Sequence, residues 1–213
     1  MKVNVGSGQS PTQGWTNIDN SFSLRLAAWP TLVKLAASAG LLARQQLDFI
    51  EFARRSNIAW ADAATALPFP DDSVDAMYSS HMLEHLDRNE AVSFLASAKR
   101  ALRPGGVIRL VVPDLRLLID SYLRTGSADH FVESTLLAAS KPQTPVQRLS
   151  SMVVGGRHHH WMYDAASLCE LLTRAGFAEA AMVPAGTTRI PDPGELDLRE
   201  RESESLYVEA IKP

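Results

Sequence analysis

Cysteine occurs once in the 213 residues, as Cys169 within the apolar pattern SLCELL. One cysteine can build neither an internal disulfide framework nor a thiolate metal site, so a reducing, cytoplasmic setting is expected. Excess charge of either sign is also missing. The 21 Lys and Arg stand against 24 Asp and Glu, a formal net charge of -3, and no basic cluster marks a groove for nucleic acid. No apolar run reads as a transmembrane segment: the most apolar window, residues 26–43, is broken by Pro30 and carries Lys34 near its centre, where a charge is costly in lipid. A strand-like KVNV begins at the second residue, so no secretion signal is expected. What is present is ordinary for one soluble domain, 46% hydrophobic and 21% charged, and a single domain over 1–213 is expected.

The chain is organised around residues 66–114, where a turn, a strand, a polar switch, an amphipathic helix and a second strand follow without a break. Residues 75–78 (DAMY) read as a buried parallel strand, with Ser79, Ser80 and His81 beyond its end. From Arg88 to Arg103 the apolar positions Ala91, Val92, Leu95, Ala98 and Leu102 recur at spacings of three and four, one stripe of a helix that Pro104-Gly105-Gly106 stops. Residues 107–112 (VIRLVV) form the next strand, parallel to the first by right-handed crossover. The fold class is α/β, and ligands of such sheets bind beyond the carboxyl ends of the strands, here residues 79–85 and Pro113-Asp114.

Residues 2–5 make a minimal strand followed by Gly6-Ser7-Gly8, whose glycines permit positive φ and close ligand approach, as nucleotide-cradling loops require. The third glycine of a dinucleotide fingerprint is lacking, which counts against a nicotinamide oxidoreductase, and Pro11 and Gly14 argue against a long helix straight after the loop. A second strand, residues 15–19, ends in Asp19. That carboxylate can accept two hydrogen bonds from vicinal ribose hydroxyls or, more plainly, cap the next segment. A third strand, residues 58–61, delivers Asp62-Ala63; the aspartate can accept from an adenine amino group while the next N–H donates to a ring nitrogen, or it can stabilise its own loop.

Residues 22–57 are mostly helical and broken near Pro30, and their apolar surplus over 24–42 reads as a cap over the substrate edge, with an extra packing helix or a dimer surface as the alternatives. After Asp114 an amphipathic helix carries Leu115, Leu118, Ile119, Tyr122 and Leu123 on one side. Residues 129–151, with Pro142 and Pro145, look less regular and substrate-shaping. Residues 178–184 and 206–211 read as a terminal antiparallel pair, and the charged stretch 187–205 between them as a solvated hairpin loop. The run His158-His159-His160 suggests a metal site, but consecutive residues project in different directions and no nearby acid or cysteine completes a set, so no metal is expected. One of these histidines facing a substrate, with the others solvated or capping the helix near Asp164, is the stronger reading.

The order of glycine loop, acidic end of strand two, Asp62-Ala63, LPFPDDSVD, LEHL and LRPGG resembles the class I S-adenosylmethionine-dependent methyltransferases, in particular the small-molecule type 11 group. LCELLTRAGF and the closing strand pair match the same family's carboxyl end. The resemblance implies a Rossmann-like sheet of seven strands, mostly parallel with an antiparallel C-terminal strand pair and helices on both faces, with cap-like insertions near 22–45 and 115–160. It implies S-adenosyl-L-methionine as cofactor, leaving as S-adenosyl-L-homocysteine. Its methionine-binding loop falls on Gly6, Ser7 and Gly8, its ribose acid on Asp19, its adenine contacts on Asp62 and Ala63, and the strand end beside the transferable methyl on Ser79, Ser80 and His81. Asn4 stands where the family usually has an acid, which implies a weaker or water-mediated contact to the methionine amino group, and the helix after the loop is shortened or missing. This shortcut, with GW-N-D after it, is similar to methyltransferases associated with glycan assembly.

Methyl transfer to a small-molecule or sugar acceptor is the implied activity, without nucleic acid or metal. An alcohol acceptor would gain from a general base, making His81, His85 and one of the histidine run, His159 among them, the catalytic candidates, with Asp114 as a carboxylate alternative. His85 reads as a packed structural histidine ahead of a base. The alternative function, encouraged by Asn4 and the abbreviated loop, is a methyltransferase-fold binding or scaffold protein without catalysis. A homodimer is left open.

Overall fold

The computed structural model describes residues 1–27, 29–42, 44–138 and 158–213. Seven strands form one sheet: β1 (Lys2–Val5), β2 (Thr16–Asp19), β3 (Ala59–Trp60), β4 (Val74–Ser80), β5 (Leu102–Pro113), β6 (Ala178–Met182) and β7 (Ser205–Ile211), in the spatial order β3-β2-β1-β4-β5-β7-β6. β1 pairs in parallel with β2 and β4, and β4 with β5. β7 lies antiparallel between β5 and β6, so it alone runs against the rest. The expected sheet is present, with strand order reversing at β1 and β4, where an open α/β sheet binds its ligands.

Among the described residues the helices are α1 (Phe22–Ala27), α2 (Pro30–Ser38), α3 (Arg44–Arg55), α4 (Arg88–Ala101), α5 (Leu115–Thr125), α6 (Ala128–Thr135) and α7 (Ala165–Arg174), with a 3-10 turn at Leu83–His85. Asp87 opens α4 through a capping box with Glu90. The helix buries Ala91, Phe94, Leu95, Ala98 and Ala101 against β4 and β5, while Val92 is 53% exposed. The expected stripe is corrected by one position, because Phe94 rather than Val92 lies on the line through Ala91, Leu95 and Ala98. β5 starts at Leu102 directly after the helix, and its pairing jumps from Val74–Leu102 to Ala76–Val107, so Pro104-Gly105-Gly106 forms a bulge. A Cβ on Gly106 would stand 2.8 Å from the Arg103 carbonyl oxygen, which is why that position needs glycine.

The opposite face of β4, β5 and β7 carries a second core of Trp15, Tyr78, Val111, Val183, Ile190, Leu196 and Tyr207. Here the charged stretch 187–205 is not a solvated loop, because Ile190 and Leu196 are buried and Arg109 on β5 holds it down. Arg109 Nη1 donates to the Thr187 carbonyl at 2.8 Å and to Glu209 Oε1 at 2.7 Å, and Nη2 donates to the Leu198 carbonyl at 3.2 Å. Trp15 Nε1 donates to the Pro193 carbonyl at 3.1 Å and the Tyr78 hydroxyl to Glu200 Oε2 at 2.7 Å. The connection from β1 to β2 contains no helix, and on this face the 183–204 segment supplies the cover instead.

α6 replaces the start of the irregular run expected over 129–151, and from residue 139 onward that stretch, with Pro142 and Pro145, lies outside the described residues. α2 buries only Val33 and leaves Trp29, Leu32 and Leu35 exposed. α7 starts at a capping box in which Asp164 Oδ1 accepts from the Ser167 amide at 2.8 Å and the Asp164 amide donates to Ser167 Oγ at 3.1 Å. The Ser167 amide holds the Asp164 carboxyl below its ordinary 3.8. Asp164→Ala is expected to remove about 1 kcal/mol of stability at neutral pH. With the native pKa depressed, the unfolded carboxylate takes up its proton first, so the wild-type advantage is complete above the ordinary value and shrinks as pH falls below it. Denaturant titrations of both proteins at about pH 7 and about pH 3 check magnitude and sign.

Candidate functional site

The carboxyl ends of β1, β2 and β4 bring Gly6-Ser7-Gly8, Asp19 and residues 79–81 to one edge. The Gly6 and Ser7 amides both donate to the Ile18 carbonyl, at 2.8 and 3.1 Å, which fixes the loop against β2. Gly6 sits at φ +72, and a Cβ there would meet Met82 Cγ at 2.7 Å, so both the turn and the approach of Met82 require glycine. Asp19 already accepts two amides, Gly8 to Oδ2 at 3.0 Å and Ser21 to Oδ1 at 2.8 Å. Each oxygen keeps a lone pair, so the carboxylate anchors the loop and can still accept from a ligand.

Asn4 stands at the same edge. It is 2% exposed, and its Nδ2 donates to the Ser10 carbonyl at 3.2 Å and to Thr12 Oγ1 at 3.1 Å, pinning the short connection that stands where a helix would be. Asp62 Oδ1 accepts from the Ala64 amide at 3.1 Å, the loop-stabilising geometry weighed for it, and Ala63 is buried beside it. The Ser7 and Ser79 hydroxyls are buried without a hydrogen-bond partner among the described residues. Ser79 and Ser80 are successive strand residues, so their side chains project to opposite faces.

His81 stands at the turn leaving β4 with φ +47, a left-handed conformation that costs a non-glycine residue about 1 kcal/mol. Its amide donates to the Val111 carbonyl at 2.9 Å. Its Nε2 lies 2.9 Å from Ser205 Oγ on β7 and its Nδ1 3.3 Å from Glu84 Oε1. His81 and His159 both face a cavity of about 400 Å³ whose walls also include Asp114, Arg124, Arg201 and Glu204. No described residue from 22–45 lines this cavity, and the described walls come from the ends of β4 and β5, α5, the end of α6, His159 and the segment just before β7. Asp114 reaches it but spends one carboxylate oxygen on capping α5, accepting from the Arg116 amide at 2.9 Å.

The three adjacent histidines separate as expected of consecutive residues: His160 is exposed, His158 half-buried and His159 8% exposed. His159 Nδ1 meets the Thr135 carbonyl at 2.8 Å, and burial lowers its pKa, opposed by the nearby Glu84. His85 is held, Nδ1 against the His158 carbonyl at 3.0 Å, and packs edge-on to His159 with ring centroids 5.1 Å apart. The expectation that no acid stands near these histidines is corrected. Glu84, fully buried, lies among His81, His85 and His159. Sequence reasoning passed over it, although the H-x-x-E-H spacing of HMLEH puts all three on one side of a helical turn. Ser205, Arg201 and Glu204 were also missed, since only the antiparallel return of β7 carries them to this edge.

A seven-stranded sheet in the order β3-β2-β1-β4-β5-β7-β6, with β7 reversed and a glycine turn after β1, defines the class I S-adenosylmethionine-dependent methyltransferase architecture. Within it, residues 18–110 match a family described as a methyltransferase domain. A methyltransferase from Thermotoga maritima is similar at 16% identity over 100% of this chain and 81% of its own, with a TM-score of 0.51. One from Mesorhizobium loti has 17% identity over 99% and 89%, with a TM-score of 0.48. The Haemonchus contortus phosphoethanolamine N-methyltransferase 2, solved with S-adenosyl-L-methionine, has 11% identity over 100% and 48%, with a TM-score of 0.49. No match is found among the curated proteins. The chain is a class I methyltransferase-fold protein. Among the described residues no helix is long and apolar enough to cross a membrane.

Proposed function

We propose that the protein transfers a methyl group from S-adenosylmethionine to a polar, hydroxyl-rich small molecule or sugar held in the 400 Å³ cavity. The observation that carries this is the position of His81, which stands where β4 ends, between the glycine-loop edge and that cavity. The cofactor supplies a methyl already activated on a sulfonium, so the protein's part is to hold the acceptor in line and exclude water. Buried unpaired hydroxyls on Ser7 and Ser79 fit a polar ligand at the β1 and β4 ends, since such groups otherwise cost free energy. Asp19 is the ribose acceptor, and Asp62 with Ala63 the adenine contact. Gly6, Gly8 and Ser80 complete the cofactor edge, whereas the Asn4 amide is committed to its loop.

On the acceptor side, the cavity lining carries Asp114, Asp120 and Glu204 together with Arg124 and Arg201, which suits multiple hydroxyls better than an apolar chain. His81 is the group placed to take an acceptor proton. His85 and His159 each spend one ring nitrogen on a backbone carbonyl and act less directly. A cytoplasmic enzyme is the accompanying reading. The specific observation favouring a non-catalytic scaffold is that the Gly6, Ser7 and Gly8 amides all bond within the protein.

Calorimetry with S-adenosylmethionine separates the two readings: the enzyme reading needs binding, and no heat at millimolar ligand would remove it. Asp19→Ala is expected to weaken that binding by about 1 to 3 kcal/mol, losing a charge-assisted acceptor and the anchor of Gly8 together. Unchanged affinity in a folded variant would take Asp19 out of the site. A screen of sugars and small alcohols for a mass gain of one methyl identifies the acceptor.

A further inference from the structure

We infer that Glu84, His85 and His159 form a binding site for one divalent transition-metal ion at the wall of the cavity. One donor atom from each residue lies within 4.8 Å of the others. Two segments far apart in the chain build the cluster, and the backbone clips them together. The Glu84 carbonyl accepts the amides of His160 at 2.7 Å and Trp161 at 3.2 Å, and the His158 carbonyl faces His85 Nδ1 at 3.0 Å.

The hydrogen bonding sets the histidines as ligands. A carbonyl only accepts, so Nδ1 of His85 and Nδ1 of His159, each against a backbone carbonyl, must carry the hydrogen. In a neutral imidazole this leaves the Nε2 lone pair free, the arrangement by which outer partners fix a metal-binding histidine. Glu84 is 0% exposed, and among the described residues neither carboxylate oxygen has a hydrogen-bond partner. A buried carboxylate without hydrogen bonds is costly, and the one ion-pair contact recorded for it, with His81 Nδ1 at 3.3 Å, does not have hydrogen-bond geometry. A cation among the three residues removes that cost.

Two imidazoles and one carboxylate suit zinc or another first-row transition metal rather than calcium or magnesium. Tetrahedral ligands at about 2.1 Å from the metal stand about 3.4 Å apart, so the donors would draw in modestly on loading. His159 lines the cavity, which leaves a coordination position facing it. Resting on the methyltransferase reading, that position would hold an acceptor hydroxyl and favour its alkoxide beside His81.

The test is calorimetric titration of chelator-treated full-length protein with Zn²⁺ alone, with Co²⁺ loading followed by its visible absorption. One Zn²⁺ per chain is expected, with binding at least about 100-fold weaker in Glu84→Gln and in His159→Gln. His160→Gln, altering the exposed neighbour, should keep wild-type affinity. Circular dichroism of the metal-free variants shows which are folded, and either folded variant suffices. Absence of stoichiometric Zn²⁺ binding by the wild type, equal affinity in a folded Glu84 or His159 variant, or an equal loss in His160→Gln overturns the site. A parallel S-adenosylmethionine titration keeps the two ideas apart, since its failure with Zn²⁺ bound removes the methyltransferase reading and leaves the metal site standing.

Discussion

Replacing Arg109 with methionine is expected to destabilise the protein by about 3 to 5 kcal/mol. Arg109 and Glu209 face each other in register on β5 and β7, both 0% exposed, with Nη1 2.7 Å from Oε1. Removing the guanidinium leaves a fully buried carboxylate with two donors, Thr188 Oγ1 at 2.6 Å and the Arg189 amide at 2.8 Å, and no opposite charge. The loss is larger than one ion pair because Arg109 also binds the Thr187 and Leu198 carbonyls and lies over the Tyr207 ring at 5.0 Å. Arg109→Met/Glu209→Met should recover much of the deficit, since an apolar pair replaces the stranded charge. Urea midpoints with unchanged slopes measure both. A single-variant loss below about 1 kcal/mol would show that the pair does not hold the loop. The effect reaches function, because the segment released carries Arg201 and Glu204 into the cavity wall.

His81→Ala is expected to lower turnover by about 100- to 10,000-fold, the range lost when a positioned proton acceptor is removed. The side chain is held at Nε2 by Ser205 Oγ, with Nδ1 3.3 Å from Glu84 Oε1 but not hydrogen-bonded to it, at a left-handed turn that a flexible loop would not keep. Such a hold fixes the imidazole relative to the cavity, and its loss should fall on kcat while S-adenosylmethionine affinity changes little. Turnover measured with the acceptor that the mass screen returns, together with calorimetry, makes the distinction. A turnover within a few-fold of wild type would mean that the acceptor needs positioning only, as an amine would.

Much of this was legible along the chain. Residues 66–114 carry their own period, caps and stops, so β4, α4 and β5 follow from local pattern, with Val92 misplaced because spacing alone does not say which residue neighbouring a stripe turns inward. Asp19 and Gly6 could be singled out because a glycine turn and an acid at the next strand's end are local signals. Glu84 could not be matched with His159, because their meeting depends on the His160 and Trp161 amides donating to the Glu84 carbonyl from 76 and 77 residues further along the chain. Asn4 was placed at this edge, but its bonds to Ser10 and Thr12 were not legible, since the side chain of a strand residue says nothing about which loop folds over it.

By itself the sequence determined the parallel sheet, its polar carboxyl edge and the glycine turn after β1, because periodicity, capping and positive φ are properties of neighbouring residues. Only the tertiary structure decided that a charged run would become a packed wall around Arg109 and that a buried glutamate would stand among three histidines. Burial and pairing of charge arise when distant segments remove one another from water, and a linear pattern does not specify those partners.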